Sequence, residues 1–384
     1  MANDKNFKIK NGLSAKRYLG GSGTETASTT NYSLTSALYD SKKGFVGSQE
    51  SVPTDLFFKP DGTKMFVIGQ TGDDVNEYNL STAWDVSTAS YSQNFSVANQ
   101  ETTPRGIAFK PDGTKMFILG QIGDDVNEYN LSTAWNVSTA SYSQNFSVAN
   151  QETSPSAIRF NNDGTKMYIL GTVTDKVFQY SLSTAYDVST ASYGNVNFSV
   201  QAQESTPEAV IFNNDGTKMY ILGTITDAVH QYSLSTAFNV STASYDSVSF
   251  SVVRQELNAM GMFFKPDGTK FYVIGYITDY VYQYSTVAHA QALDLSTGST
   301  FSFTLIGPTT VSFTNEPASG KVIAFTVEII GGLIGYSSTI TWPSSVKWEG
   351  GIAPTLSTTK ELYTLMTIDG GTTYYAKRAA EGLA

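Results

Sequence analysis

Two columns of carboxylates recur along this chain at a nearly constant interval. Asp73, Asp124, Asp175, Asp227 and Asp279 each follow an apolar run that ends in glycine, and Glu50, Glu101, Glu152, Glu204 and Glu256 each close a Gln-Glu pair. Carboxylates in such numbers can accept hydrogen bonds from sugar hydroxyls, gather cations, or work as an acid and a base on a glycosidic bond. The last chemistry needs one pair about 5–10 Å apart in contrasting environments, whereas a repeat supplies equivalent groups. Calcium needs about six to eight converging oxygens, and no DxDxDG spacing occurs. Near the fifth copy, Tyr276 and Tyr280 add aromatic faces on which a sugar could stack. The candidate ligand-binding set is therefore Asp73, Asp124, Asp175, Asp227, Asp279, Glu256, Tyr276 and Tyr280, with no catalytic residue, metal ligand or cofactor expected. The plainer role of the acids is to hold turns by accepting backbone N–H groups.

The residue inventory removes several chemistries. There is no Cys, which excludes disulfides, thiolate metal sites and a cysteine nucleophile, and the only histidines are His230 and His289. His230 is read as sharing a column with Glu77, Glu128, Phe178 and Tyr282, the place of an ordinary surface or interblade side chain rather than a base. The net charge of -10 argues against nucleic acid as a partner. The polar N-terminus lacks a signal-peptide apolar region, and the most apolar stretch, near 322–334, falls short of the ~20 residues that span a bilayer. A soluble chain without membrane insertion is expected.

These acids are carried by a repeat. The phrase DGTK places its Asp at Asp61, Asp112, Asp163, Asp215 and Asp267, with spacings of 51, 51, 52 and 52 residues. Each copy reads as a short apolar strand ending in Phe58, Phe109, Phe160, Phe212 or Phe264, then a tight Asp-Gly turn, then a β-branched and aromatic strand such as KMFVIG. A third strand of alternating pattern follows, then an STAxxVSTAS linker and a fourth strand. Trp84, Trp135, Tyr186 and Phe238 mark one aromatic column in the linker, expected to fill the core beneath it. Four antiparallel strands per ~50 residues are the signature of a β-propeller blade.

The ends of the array indicate a closed ring. The fifth copy stops after its third strand, while residues 39–50, YDSKKGFVGSQE, align without gaps to residues 245–256, YDSVSFSVVRQE. A strand from the N-terminal side therefore completes the last blade. The chain is expected to be all-β: an N-terminal arm (1–31), a five-bladed propeller of four-stranded blades (32–286), and a smaller C-terminal β-sandwich-like domain (287–384). Trp342 and Trp348 are candidates for the core of that last domain or for a subunit contact.

Three resemblances bear on function. The turns KPDGTKMFV (Lys59–Val67) and KPDGTKFYV (Lys265–Val273) resemble the hairpins of surface-layer and lactonase-like propellers. The opening MANDKNFKIKNGL resembles N-terminal tags of tailed-phage structural proteins. The phrases LDLSTGSTFSFTL, ITWPSSVKWEGGIAPTLSTT and TIDGGTTYYA, in that order, resemble a C-terminal module of phage tail fibres. The phage resemblance implies a virion structural protein, not an enzyme: a fibre or adhesin component held to other virion proteins by its arm or C-terminal module. It also implies a homotrimer offering its propeller to a host-surface glycan. A decorating protein without a receptor and a polysaccharide depolymerase are the alternatives.

Overall fold

The computed structural model describes residues 31–287, 289–305, 309–330, 340–356 and 359–383. The arm expected over 1–31 lies almost wholly outside them. The described residues divide into two compact units, 31–287 and the C-terminal segment from 289.

The larger unit is a propeller of five four-stranded antiparallel sheets. The innermost strands are Pro53–Phe58, Pro104–Phe109, Pro155–Phe160, Pro207–Phe212 and Ala259–Phe264, and the second strands run from Lys64–Gly69 to Lys270–Gly275. Between them, Gly62, Gly113, Gly164, Gly216 and Gly268 take φ of 70–74°, the left-handed conformation that the DGTK turn requires. The turn aspartates hold the loop: Asp61 accepts from the Thr63 amide (3.0 Å) and hydroxyl (2.7 Å) and pairs with Lys59 at 2.7 Å. Burial would raise the Asp61 carboxyl, but the bonds to Lys59 and Thr63 outweigh it and hold the group at about 2.

The aromatic column packs flat onto these turns. A Cβ on Gly113 would lie 2.3 Å from the Trp135 indole nitrogen, so glycine is needed for contact as well as for φ. In the fifth blade the same place is filled by Tyr32, against Gly268. Its backbone N–H donates to Gly268 O at 2.8 Å, as Trp84 N–H does to Gly62 O in the first blade. The segment that closes the ring thus begins seven residues before Tyr39: NYSLTSALYD is a worn copy of AFNVSTASYD. Its strand, Leu38–Phe45, pairs antiparallel with Tyr280–Ser285 and forms the outermost strand of the fifth blade.

Neighbouring blades are joined by one repeated device. Glu77 takes the Lys64 ammonium at 2.6 Å and accepts from Val137 N–H of the next blade at 3.2 Å; Glu128 does the same with Lys115 and Val188. Gln179 and Gln283 accept the corresponding N–H of Val240 and Val86, the latter spanning the ring closure. Strand register corrects the column assigned to His230. Ile221 faces His230 as Val67 faces Asn76 and Ile118 faces Asn127, so Asn76 and Asn127 are its counterparts, and Glu77 and Glu128 belong one residue further on.

The C-terminal unit contains two sheets. One joins His289–Asp294, Thr309–Thr314 and Ile340–Thr341 in parallel; the other orders Thr300–Thr304, Ile323–Ile330, Lys360–Thr367, Tyr374–Leu383 and Val346–Trp348. Leu293, Val311, Phe325, Val327, Leu365 and Tyr374 are buried in its core. Trp342 and Trp348 meet edge to face at 5.3 Å and both abut Tyr363, which places them in this core.

Candidate functional site

The innermost strands repeat apolar residues in the other columns, but three columns are broken by charge. The second residue of each strand is Thr54, Arg105, Ser156, Glu208 and Met260 in blade order; the third is Asp55, Gly106, Ala157, Ala209 and Gly261; the fifth is Phe57, Ala108, Arg159, Ile211 and Phe263. An innermost strand faces the propeller axis, where a lone charge is expensive unless a partner reaches it from across the ring. All three broken columns meet this condition: Arg105 pairs with Glu208 within the second, and Asp55 of the third with Arg159 of the fifth.

Asp55 of the first blade and Arg159 of the third form a buried bidentate pair, Nη1 to Oδ2 at 2.8 Å and Nη2 to Oδ1 at 3.0 Å. Arg159 also donates to the carbonyls of Ile107, Ile158 and Met262, and Asp55 accepts the amides of Leu56 and Ile107. Further toward the DGTK turns, Phe57 and Phe263 meet at 5.0 Å. These contacts fill the axis on that side.

The axis opens on the opposite side into a cavity of about 320 Å³. Arg105 of the second blade and Glu208 of the fourth are joined there by a short ion pair between Nη2 and Oε2. Glu208 is buried, and this burial raises its carboxyl above the ordinary glutamate value despite the opposing pull of Arg105. Gln70, Thr224 and Tyr276, the residues just after three second strands, line the wall with Val52 and Asn258 from the entering links and Met260 from the fifth innermost strand. A polar floor with one ion pair is thus set beside a more apolar flank.

The acids singled out in the sequence are placed differently. Glu256 is buried, and its oxygens are taken by Asn258 N–H (3.1 Å), Ile277 N–H (3.2 Å), Thr278 N–H (3.3 Å) and the Thr278 hydroxyl (2.6 Å). Glu50, Glu101, Glu152 and Glu204 are equally buried and bind the same turn in their blades. They fasten turns by accepting backbone N–H groups and do not stand exposed to a ligand. Asp73, Asp124, Asp175, Asp227 and Asp279 sit at φ of 44–56° in the turns after the second strands. Their carbonyls accept the amides of Val97, Val148, Val200, Val252 and Val46. Each Oδ1 is buried without a hydrogen-bond partner, and burial, followed by nearby carboxylates, raises all five groups above the ordinary aspartate value. Only Tyr276 of the candidate set lines the cavity. Tyr280 packs against Phe45 of the closing strand at 5.1 Å, with the Lys43 ammonium 3.9 Å from its ring centroid.

His230 is buried, with Nε2 2.9 Å from the Thr226 hydroxyl and Nδ1 unpartnered. Burial lowers its pKa, so it is neutral at physiological pH. Among the described residues no group of three or more His, Asp or Glu side chains is placed to hold a metal ion. Recurrence along the sequence points to repeated carboxylates and so passes over Arg105 and Glu208. The signal that finds them is the reverse: opposite charges in two copies of a column that is small or apolar in the others.

Comparison with known proteins gives one family. A model described as lactonase, 7-bladed beta-propeller, matches residues 41–238, just over half of the 384-residue chain. No curated protein matches. Among solved structures, a Lactobacillus plantarum protein aligns at 13% identity and a TM-score of 0.40, over 61% of this chain and 67% of its own. A candidate 6-phosphogluconolactonase from Bacteroides uniformis aligns at 13% and 0.38, over 59% and 64%. A functionally unknown protein from Desulfotomaculum acetoxidans aligns at 10% and 0.38, over 58% and 62%. The chain therefore spans about two thirds of the length of these proteins or less. The family match overturns the virion-fibre reading, together with its decorating and depolymerase variants, and the expectation that the chain is not an enzyme. The short phrases at the two ends carried that reading, whereas the match runs through most of the closing strand, three blades and the first three strands of the fourth.

Proposed function

Because the chain belongs to the lactonase family of β-propellers, with five blades where the family description has seven, we propose that it is a lactone hydrolase whose active site is the axial cavity around Arg105 and Glu208. The observation that carries this reading is the ion pair that these two residues make across the axis inside the cavity.

Ester hydrolysis requires a base for water and a donor where negative charge develops. Glu208 in its ionised form takes a proton from a water whose oxygen adds to the lactone carbonyl carbon. Arg105 donates to the carbonyl oxygen, which becomes the oxyanion of the tetrahedral intermediate. As the C–O ring bond breaks, the carboxyl proton of Glu208 passes to the departing ring oxygen, leaving a hydroxy acid and an ionised Glu208. A raised Glu208 suits the cycle, since a base with a pKa nearer neutrality also returns its proton readily. Gln70 and Asn258 offer amide groups that can orient a polar ring substituent.

The test is ring opening of simple γ- and δ-lactones by the full-length protein, followed by acid release in a pH-stat. Activity is expected to rise with pH through an ionisation above the ordinary glutamate range. Glu208→Gln should lower kcat about 10²–10⁴-fold and abolish that limb. Unchanged turnover in Glu208→Gln, with the fold intact by circular dichroism, would sink the proposal.

A further inference from the structure

The cavity mouth is chemically lopsided. Next to the lining residues of the fourth and fifth blades stand three exposed aliphatic side chains: Ile225 beside Thr224 (65% exposed), Ile277 beside Tyr276 (51%), and Leu257 beside Asn258 (56%). In the first blade the corresponding positions are Thr71 and Ser51, both polar. Ile122 and Val173 keep the first of these columns aliphatic in the second and third blades, next to residues outside the lining, so what sets the fifth blade apart is Leu257 together with Tyr276. Leu257 is a departure from Ser51, Thr102, Thr153 and Ser205, and Tyr276 from Gln70, Gln121, Thr172 and Thr224. Both departures fall in the fifth blade, where Met260 continues the apolar surface into the cavity.

Charge points the same way. Arg105 is the only cation among the lining residues, and its charge is matched by Glu208. The cavity therefore offers no unmatched positive charge to a phosphate or carboxylate on the substrate. Resting on the lactonase reading, we infer that the preferred substrate is a neutral lactone bearing an aliphatic chain. Its ring lies at Arg105 and Glu208, and its chain runs out over Met260, Tyr276, Ile277, Leu257 and Ile225. Exposed aliphatic groups on a mouth bounded by polar walls are covered when such a chain binds, and each methylene removed from water adds to affinity.

The experiment compares kcat/KM for γ-butyrolactone with γ-lactones carrying alkyl chains of increasing length, and with a phosphorylated sugar lactone. In parallel, the matching alkyl lactams, which resist hydrolysis, are titrated by calorimetry. Half-burial of each methylene predicts about a twofold rise in kcat/KM and in lactam affinity per carbon along the first few carbons. The ratio of long-chain to short-chain activity should fall several-fold in Ile277→Ser/Leu257→Ser. It should be unchanged in Ile122→Ser, an exposed residue in the second blade that does not adjoin the lining. Hydrolysis that is indifferent to chain length, or fastest on the phosphorylated lactone, overturns this inference and leaves the lactonase reading standing. Chain-dependent lactam binding without hydrolysis of any lactone supports the apolar seat and removes the reaction assigned to it. Absence of both removes the two together.

Discussion

Replacing Arg159 with methionine tests the physical account of the propeller axis most directly. The guanidinium makes five hydrogen bonds of 2.7–3.2 Å, two to Asp55 and three to carbonyls of Ile107, Ile158 and Met262, and so touches blades one, two, three and five. Methionine fills similar volume without the charge. Asp55 would keep the amides of Leu56 and Ile107 but lose its counter-ion in a buried site. Breaking one side of a buried pair costs about 3–5 kcal/mol, against a typical domain stability of about 5–15 kcal/mol. The expected fall in melting temperature is on the order of 10 °C. Denaturation followed by the fluorescence of Trp84 and Trp135, both in the propeller, measures the loss. Asp55→Asn added to Arg159→Met removes the stranded charge and should recover about 1–2 kcal/mol relative to the single variant. A loss below about 1 kcal/mol in Arg159→Met, or a double variant no better than the single, would refute the view that a desolvated charge pair locks the axis.

Three other outcomes follow from the same contacts. Asp227→Asn keeps a side chain that tolerates the left-handed turn and removes a carboxylate whose Oδ1 has no partner. Because folding raises this aspartate's pKa, its protonated form favours the native state, and that contribution is lost as pH rises through the folded value. The variant should therefore be more stable at pH 7 by about 0.5–1 kcal/mol, an advantage that vanishes below the ordinary aspartate range in urea titrations at both pH values. Gly113→Ala places a methyl group into the Trp135 ring at positive φ and should cost about 2–4 kcal/mol in the same assay. Tyr32→Ala empties the aromatic place in the fifth blade and should cost about 2–3 kcal/mol, with hydrogen exchange rising first along Leu38–Phe45.

Recurrence made the ring legible. DGTK, the aromatic column and the Gln-Glu links each appear once per blade, so five copies average out local ambiguity, and the misplaced fourth strand reveals the closure. Identity to the repeat also limited what could be seen. Residues 31–38 closed the same blade, yet Tyr32, Leu34 and Leu38 in place of Phe238, Val240 and Ser244 hid the copy. At the site the bias was stronger. Repeated acids attracted attention because they were repeated, and the structure gives them repeated work: fastening turns with backbone amides. Arg105, Glu208, Asp55 and Arg159 each occur in one blade, and their meaning depends on which residue stands across the axis. Pairs joined over 103 and 104 residues leave no local pattern; only the ring brings them together.

The closing strand has a mechanical consequence. Leu38 pairs with Ser285 and Phe45 with Tyr280, so the outward-leading ends of both strands lie at the same edge of the ladder. Tension between residues 31 and 287 would load the Tyr32–Gly268 contact first, then the Leu38–Ser285 pair, and part the ladder bonds one after another, as a zip opens, instead of shearing them at once. Pulled between those points, the ring yields at a low force and at one seam. Pulled between two internal blades, it must break several interblade ties together. The resistance of this molecule to stretching is set by where it is held.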